Sequence, residues 1–483
     1  MIIGSSLEDF AKSKPRERAV VCDDESLSWS ELFETVQAIA ADMDARQPQG
    51  RTIALILKNS PAMLAHFLAC AASGREAAVI DPAWPQARIT DVLSELAPAL
   101  IYSDSGMVIP NAISGDGRAR RFAGGPTSRR CEADSESSFY VGFTSGSTGR
   151  PKGYRRSHQS WLASFAGDRI EFGLTEDDVV LAPGSMTHSL FLYAAVHALH
   201  IGATLLMSHA FHPARALRMA REHRATIAYG APTQWRMLLD ACAEPLPQLR
   251  WVLSSGAKWF ARASEDIPRL APNARFAEFY GASELSFVAV RKSGEACPES
   301  SVGRAFSGVN ISIRDDGGNL LGRDEPGRVF VESPYLFSGY ATGDENIASH
   351  AGAMTVGDMG YLDAQGFLHL VGRRDRMIVT SGKNVFAEEI ERALESIPGV
   401  RAAAALGEPD DLRGQKIVAL VLAEESVALC RADLKRAARA LLPLPFVPRL
   451  FAAPAQWRWT SSGKTDFKAM ASLWAAGEWT EIT

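Results

Sequence analysis

Ten consecutive residues, Thr144-Ser-Gly-Ser-Thr-Gly-Arg-Pro-Lys-Gly153, carry the clearest chemistry in the chain. Gly146 and Gly149 let backbone amides approach a polyphosphate without side-chain obstruction. The hydroxyls of Thr144, Ser145, Ser147 and Thr148 supply further donors, and Lys152 supplies a positive charge. The spacing of lysine and glycine is not that of a GxxxxGK[ST] loop. A generic Ser/Gly surface loop is the alternative for a shorter run, but the length of this one argues against it.

A loop of this kind needs a rigid edge to hold it. The preceding FYVGF reads as a strand that ends at the loop. Upstream, SWSELFETVQAIAADMDA has helical periodicity and a capping serine, Ser28 or Ser30. RTIALILK and REAAVIDP read as short buried strands, and SPAMLAHFLACAASG between them reads as a helix. This βα alternation predicts a parallel sheet covered by helices. It resumes after the loop with DVVLAPG, GATLLMS, ATIAYG and LRWVLSSG as strands. The polar stretch GDGRARRFAGGPTSRRCEADSES reads as a surface connection. From about Ser301 short strands alternate with DDGGN, RDEPG and DAQG turns, which predicts a small antiparallel, barrel-like unit. AEEIERALES, QKIVALVLA and RADLKRAARALL then read as helix, strand and helix. The expected architecture is α/β: a large N-terminal domain of αβ subdomains with a barrel-like unit, residues 1–375, and a smaller mobile α+β domain, residues 376–483.

A chain of 483 residues exceeds the usual size of a single core. The net charge of -5 argues against a nucleic-acid binder. Six cysteines, none in a CxxC pair, give neither a zinc-finger pattern nor a dense disulfide framework. No apolar run reaches membrane-spanning length, and the N-terminal residues lack the pattern of a secretory leader. The cytoplasm is the expected compartment.

The ten-residue loop resembles the ATP signature of the adenylate-forming superfamily: acyl- and aryl-CoA synthetases, adenylation domains and luciferases. Four further runs match that superfamily's motifs in the same order, so the resemblance covers nearly the whole chain. Phe279-Tyr-Gly-Ala-Ser-Glu284 resembles YGxTE, with Ser283 in place of the usual threonine. By that resemblance Tyr280 stacks on adenine and Glu284, with Thr148, holds Mg2+, a hard cation that prefers oxygen ligands. Val356-Gly-Asp358 resembles TGD, with Val356 in place of threonine. Asp358 is the expected acceptor of both ribose hydroxyls, since a carboxylate takes two O–H donors. Gly372-Arg-Arg-Asp-Arg-Met-Ile378 resembles the hinge motif, in which Arg373 contacts the ribose or α-phosphate side and Asp375 is the pivot. Thr460-Ser-Ser-Gly-Lys464 resembles PRTxxGK, with Arg458-Trp459 where Pro-Arg is usual. Lys464 is the implied cation that bridges the attacking carboxylate and the α-phosphate.

The resemblance implies two reactions. A small-molecule carboxylic acid attacks the α-phosphorus of ATP, giving acyl-AMP and pyrophosphate with Lys152, Mg2+ and Lys464 balancing charge. The acyl group then passes to a thiol, expected to be coenzyme A, with a separate acyl carrier protein as the other acceptor. Pro183-Gly-Ser-Met-Thr-His-Ser-Leu-Phe191 stands where the superfamily lines its acyl pocket. His188 meets the carboxylate, gates its entry, or packs as a structural histidine. Ser255, Gly256, Ala257 and Gly281 are small enough to leave room for an acyl group, and Met186, Leu190, Phe191 and Trp235 are candidates for its apolar wall. The 183–191 segment has no aspartate to hold an α-ammonium, which argues against an α-amino acid; the sequence does not separate a fatty acid from an aryl or hydroxy acid, and an aliphatic or medium-chain acid is the expectation. The chain is expected to carry no fused carrier domain.

Overall fold

The computed structural model describes residues 1–46, 51–104, 107, 109–115, 134–145, 151–256, 260–342, 347–380, 383–411, 413–425, 427–460 and 464–483. Most of the 115–137 connection therefore lies outside the described residues. The chain packs into two compact units. The first comprises Met1–Ile311 and Val331–Val356, and the second Ser312–Phe330 and Gly357–Thr483. Packing thus groups residues 357–375 with those that follow them, although the sequence places its boundary at the 375/376 hinge. Strand pairing of Gly327 and Arg328 with Gly360 and Met359 places the 312–330 stretch in the same unit.

The first unit contains two αβ sheets. In one, Thr52–Ile56, Glu76–Val79, Leu100–Ser103 and Ser138–Ser145 run parallel. The helices Trp29–Arg46 and Pro61–Ala72 belong to the same region. The first of these starts with a reciprocal cap: the Ser28 N–H donates to Glu31 Oε2 and the Glu31 N–H to Ser28 Oγ, at 2.9 and 3.3 Å. Ser28 is therefore the capping serine. Every residue of Pro61–Ala71 is buried, so this helix is apolar on all faces. In the other sheet, Arg18–Cys22, Thr204–Met207, Val179–Leu181, Ile227–Gly230, Trp251–Ser255 and Arg275–Ala282 lie side by side in that order, all parallel. One of its cores gathers Leu206, Leu217, Trp235, Leu238, Val252 and Phe276.

The second unit begins with antiparallel strands. Asp358–Leu362 and Leu368–Arg373 form a hairpin closed by the DAQG turn. Asp363 shapes that turn, accepting the N–H groups of Gln365 and Phe367 at 3.0 and 2.8 Å. A further sheet pairs Val400–Asp410 with Gly414–Ala423, and the helices Ala387–Glu395 and Arg431–Leu441 contribute Ile390, Leu394 and Leu434 to its core. No helix among the described residues is long and apolar enough to cross a membrane.

Candidate active site

Parallel strands bring whatever follows their carboxyl ends to one edge of the sheet, the usual ligand-binding edge of an open α/β fold. Val179–Leu181, Ile227–Gly230, Trp251–Ser255 and Arg275–Ala282 share that direction. They lead respectively into the 183–188 segment, Gly230 itself, Gly256 and the Tyr280–Glu284 motif. Ser255 lies opposite Phe279, and its Oγ donates to the Phe279 carbonyl at 3.0 Å. Gly256 has φ +103, a left-handed conformation suited to glycine. Ala257 lies outside the described residues. Tyr280 and Ser283 are half-buried. The hairpin register shifts between Tyr280 and Gly281, and a Cβ on Gly281 would stand 2.1 Å from the Ser286 carbonyl oxygen. Gly281 is thus needed for a close backbone approach, whatever it does for an acyl group.

The ends of the phosphate loop are held in an antiparallel ladder, Thr144 opposite Lys152 and Ser145 opposite Pro151. Gly146, Ser147, Thr148 and Gly149 lie outside the described residues. Lys152 belongs to the strand Pro151–Ser157, and its ammonium stands 5.9 Å from the ring centroid of Tyr340. The Tyr340 hydroxyl donates to Glu284 Oε1 at 3.1 Å. One phenol therefore connects the loop lysine to the carboxylate assigned to Mg2+. The Glu284 carboxylate is half-buried and oriented by that hydrogen bond. An anionic, hard oxygen donor of this kind fits Mg2+.

Arg156 fixes the backbone beneath this carboxylate. It is almost fully buried and donates through Nη1 to the Ser283 carbonyl and through Nη2 to the Tyr335 carbonyl, at 3.1 and 2.5 Å. Burial brings its pKa down to about 10, so it stays charged at neutral pH. Phe337 N–H donates to the Glu284 carbonyl at 2.9 Å.

Asn59 holds the 183–188 segment. Its Nδ2 donates to the Gly184 carbonyl, and its Oδ1 accepts the Met186 N–H, both at 2.8 Å. Met186 and Phe191 are buried, and the Phe191 ring leaves no room for a side chain on Gly184. His188 directly precedes the helix Ser189–Ile201. Burial lowers its pKa below the ordinary imidazole value and favours the neutral ring, while Asp81 pulls in the opposite sense. Leu190 is half-buried, while Trp235 packs in the core cluster named above.

In the second unit, Asp358 and Arg373 are cross-strand partners. Arg373 Nε lies 3.4 Å from Asp358 Oδ1 and 3.8 Å from Asp375 Oδ1. Lys464 feels both members of the first pair. Its pKa falls below the ordinary lysine value through desolvation first and the Arg373 charge second, with Asp358 acting in the opposite sense. Its loop is closed by one backbone and one side-chain bond: the Thr460 N–H donates to the Lys464 carbonyl at 2.7 Å, and the Lys464 N–H to Thr460 Oγ1 at 3.1 Å. Residues 461–463 lie outside the described residues. Arg376 is not a solvated charge: its guanidinium sits 3.5 Å over the Phe467 ring and bonds Glu388 Oε1 at 3.0 Å and Glu391 Oε2 at 3.1 Å.

Sequence reasoning missed Asn59, Arg156 and Tyr340. None stands in a recognisable motif, and each acts on residues more than a hundred positions away or, for Tyr340, 56 positions away.

Comparison with known proteins adds the family. The model of the AMP-binding enzyme family matches residues 7–341, and that of the AMP-binding enzyme C-terminal domain matches residues 389–464. An uncharacterized acyl-CoA ligase of Bacillus subtilis, YhfT, is 34% identical over 90% of this chain and 91% of its own. VraA of Staphylococcus aureus, provisionally named a long chain fatty acid-CoA ligase, is 26% identical over 99% of both chains. The o-succinylbenzoate CoA synthetase MenE of Bacillus subtilis, solved with its acyl-adenylate intermediate, superposes with a TM-score of 0.86 at 22% identity, covering 97% of this chain and 98% of that one. The chain therefore belongs to the AMP-binding enzyme family of the adenylate-forming superfamily and is an AMP-forming acid–thiol ligase of the acyl-CoA ligase type.

Proposed function

We propose that this ligase converts an aliphatic carboxylic acid of the fatty-acid class to its acyl-AMP and then to its coenzyme A thioester. A carboxylate is a poor acyl donor, because oxide would have to leave. In acyl-AMP the leaving group is a phosphate ester. The observation that supports the reading is the cross-strand pair of Asp358 and Arg373, 3.4 Å apart, with Lys464 close enough to feel both charges. This brings together an ammonium, an acceptor suited to a ribose diol, and a guanidinium.

In this account the carboxylate oxygen attacks the α-phosphorus and pyrophosphate departs in line. Lys464 offsets the charge that builds on the carboxylate and α-phosphate oxygens as the bond forms. Asp358 accepts the ribose hydroxyls and fixes the nucleotide, with Arg373 on the ribose or α-phosphate side. Lys152 and the loop from Thr144 to Gly149 carry the β- and γ-phosphates, and Tyr280 stacks on adenine. Glu284, with Thr148, would hold Mg2+, which would screen phosphate charge when bound. Neutral His188 stands at the acid's entry without adding a charge. Asp375 is the pivot on which residues 376–483 turn between the two half-reactions.

Two observations support the choice of acid. The 183–188 segment buries its own Met186 and packs against the buried Phe191, and a relative carries a fatty-acid name. Acid-dependent exchange of labelled pyrophosphate into ATP, run over straight-chain acids of increasing length and over aromatic acids, tests it. Straight-chain acids should dominate. Exchange supported only by aromatic acids would overturn the assignment.

A further inference from the structure

A cluster outside the adenylating residues has the composition of a metal site. Cys22 ends the strand Arg18–Cys22, and the parallel register sets it opposite Met207, two residues before His209. One side-chain ligand atom from each of Cys22, Asp23 and His209 falls within 4.8 Å of the others. Asp23 Oδ2 is already occupied, accepting the His209 backbone N–H at 3.1 Å and Arg215 Nη1 at 3.2 Å. Two further features point to a cation beside the other oxygen. Asp23 Oδ1 is buried with no hydrogen-bond partner among the described residues, on a side chain only 10% exposed. The His209 Nδ1 stands 2.8 Å from the Asn59 carbonyl oxygen, which requires a proton on Nδ1 and leaves the Nε2 lone pair for a ligand. A hollow of about 390 Å³, lined by Asp23, Asp24, Glu25, His209, Arg215 and Arg218, gives access from solvent.

We propose that Cys22, Asp23 and His209 bind a divalent ion of the zinc type. One thiolate sulfur, one imidazole nitrogen and one carboxylate oxygen form a borderline-soft donor set that suits Zn2+ and not Mg2+. Three protein ligands leave the fourth tetrahedral position to water. Binding exchanges the Cys22 S–H bond for a sulfur–metal bond and releases the proton to water, with no change of oxidation state. The ion ties the Arg18–Ser28 hairpin to the end of the strand Thr204–Met207. Asn59, which meets His209 through its carbonyl and Gly184 and Met186 through its side chain, carries that anchorage to the segment holding His188.

The test uses the full chain, stripped with a chelator, and Co2+ as the probe. Titration should give a near-ultraviolet thiolate-to-metal band that saturates at one ion per chain and is displaced by Zn2+. Cys22→Ser should abolish the band. His209→Ala, at an exposed position, should keep the circular dichroism of the parent and weaken Co2+ binding at least about tenfold. Absence of a stoichiometric band in the parent chain, or a band and affinity unchanged in His209→Ala, would overturn the proposal.

Discussion

Lys464 and Tyr340 make the clearest single-residue predictions. If Lys464 acts on charge that develops only as the acyl–phosphate bond forms, Lys464→Ala should slow acyl-AMP formation by at least about a hundredfold. The dissociation constant for ATP should change by less than about threefold. Single-turnover adenylation and equilibrium binding of ATP separate the two effects, and parallel losses in both would contradict the role. Tyr340 does not touch the reacting atoms in this account; it positions Glu284. Tyr340→Phe should raise the Mg2+ concentration for half-maximal activity severalfold and leave saturated turnover near the parent value. A kcat loss that excess Mg2+ does not restore would contradict that positioning role. The motif residues Glu284, Asp358 and Lys464 were legible in the sequence because each lies in a short local pattern. Tyr340, Arg156 and Asn59 were not, because their importance arises from pairings such as Gly339–Tyr340 against Tyr154–Arg155, made only when the chain folds.

Among the elements, the helix Ala387–Glu395 depends most visibly on a buried ionic contact. Burial pushes the Glu391 carboxyl up to about 7, against the pull of Arg376. Arg376→Ala would leave Glu391 without its guanidinium and Phe467 without its cation. The expected cost is about 3 kcal/mol in the stability of the second unit. Denaturant unfolding followed by tryptophan fluorescence measures it, and a change below about 0.5 kcal/mol would show the pair to be dispensable. The βα elements of the first unit were readable because apolar runs, turn residues and a capping serine agreed. Val400–Asp410 was not: its run Ala402–Ala405 favours helix by intrinsic propensity. Pairing with Gly414–Ala423 makes it a strand, with Ala403, Ala404 and Ala405 buried. The strand Pro151–Ser157 was likewise hidden behind its own phosphate-loop signature, although its pairing with Ser138–Ser145 holds that loop's two ends together.

At the scale of the whole molecule, buried histidines set the acid limit of the fold. His66 and His158 are fully buried, and desolvation takes each pKa to about 4. His158 Nδ1 accepts the Ile3 N–H at 3.0 Å, a bond that protonation of that nitrogen would destroy. A histidine near 6.5 when unfolded and near 4 when folded binds more protons in the unfolded chain between those values. The two histidines therefore lower stability as pH drops through about 6.5, levelling off below about 4, with a slope of about 3 kcal/mol per pH unit between them, offset in part by Glu391, whose raised carboxyl takes up a proton in the folded chain. Unfolding midpoints at pH 7 and pH 5 test the sign. A chain at least as stable at pH 5 as at pH 7 would contradict it.

The central claim is that one chain performs acid activation and thiol capture in sequence. The most direct measurement is mass spectrometry of reactions containing ATP, Mg2+ and a panel of straight-chain acids, with and without coenzyme A. Acyl-AMP should accumulate without coenzyme A and give way to acyl-CoA when it is added. Acyl-AMP that persists in the presence of coenzyme A would contradict the account and turn the search for the acceptor to a carrier protein.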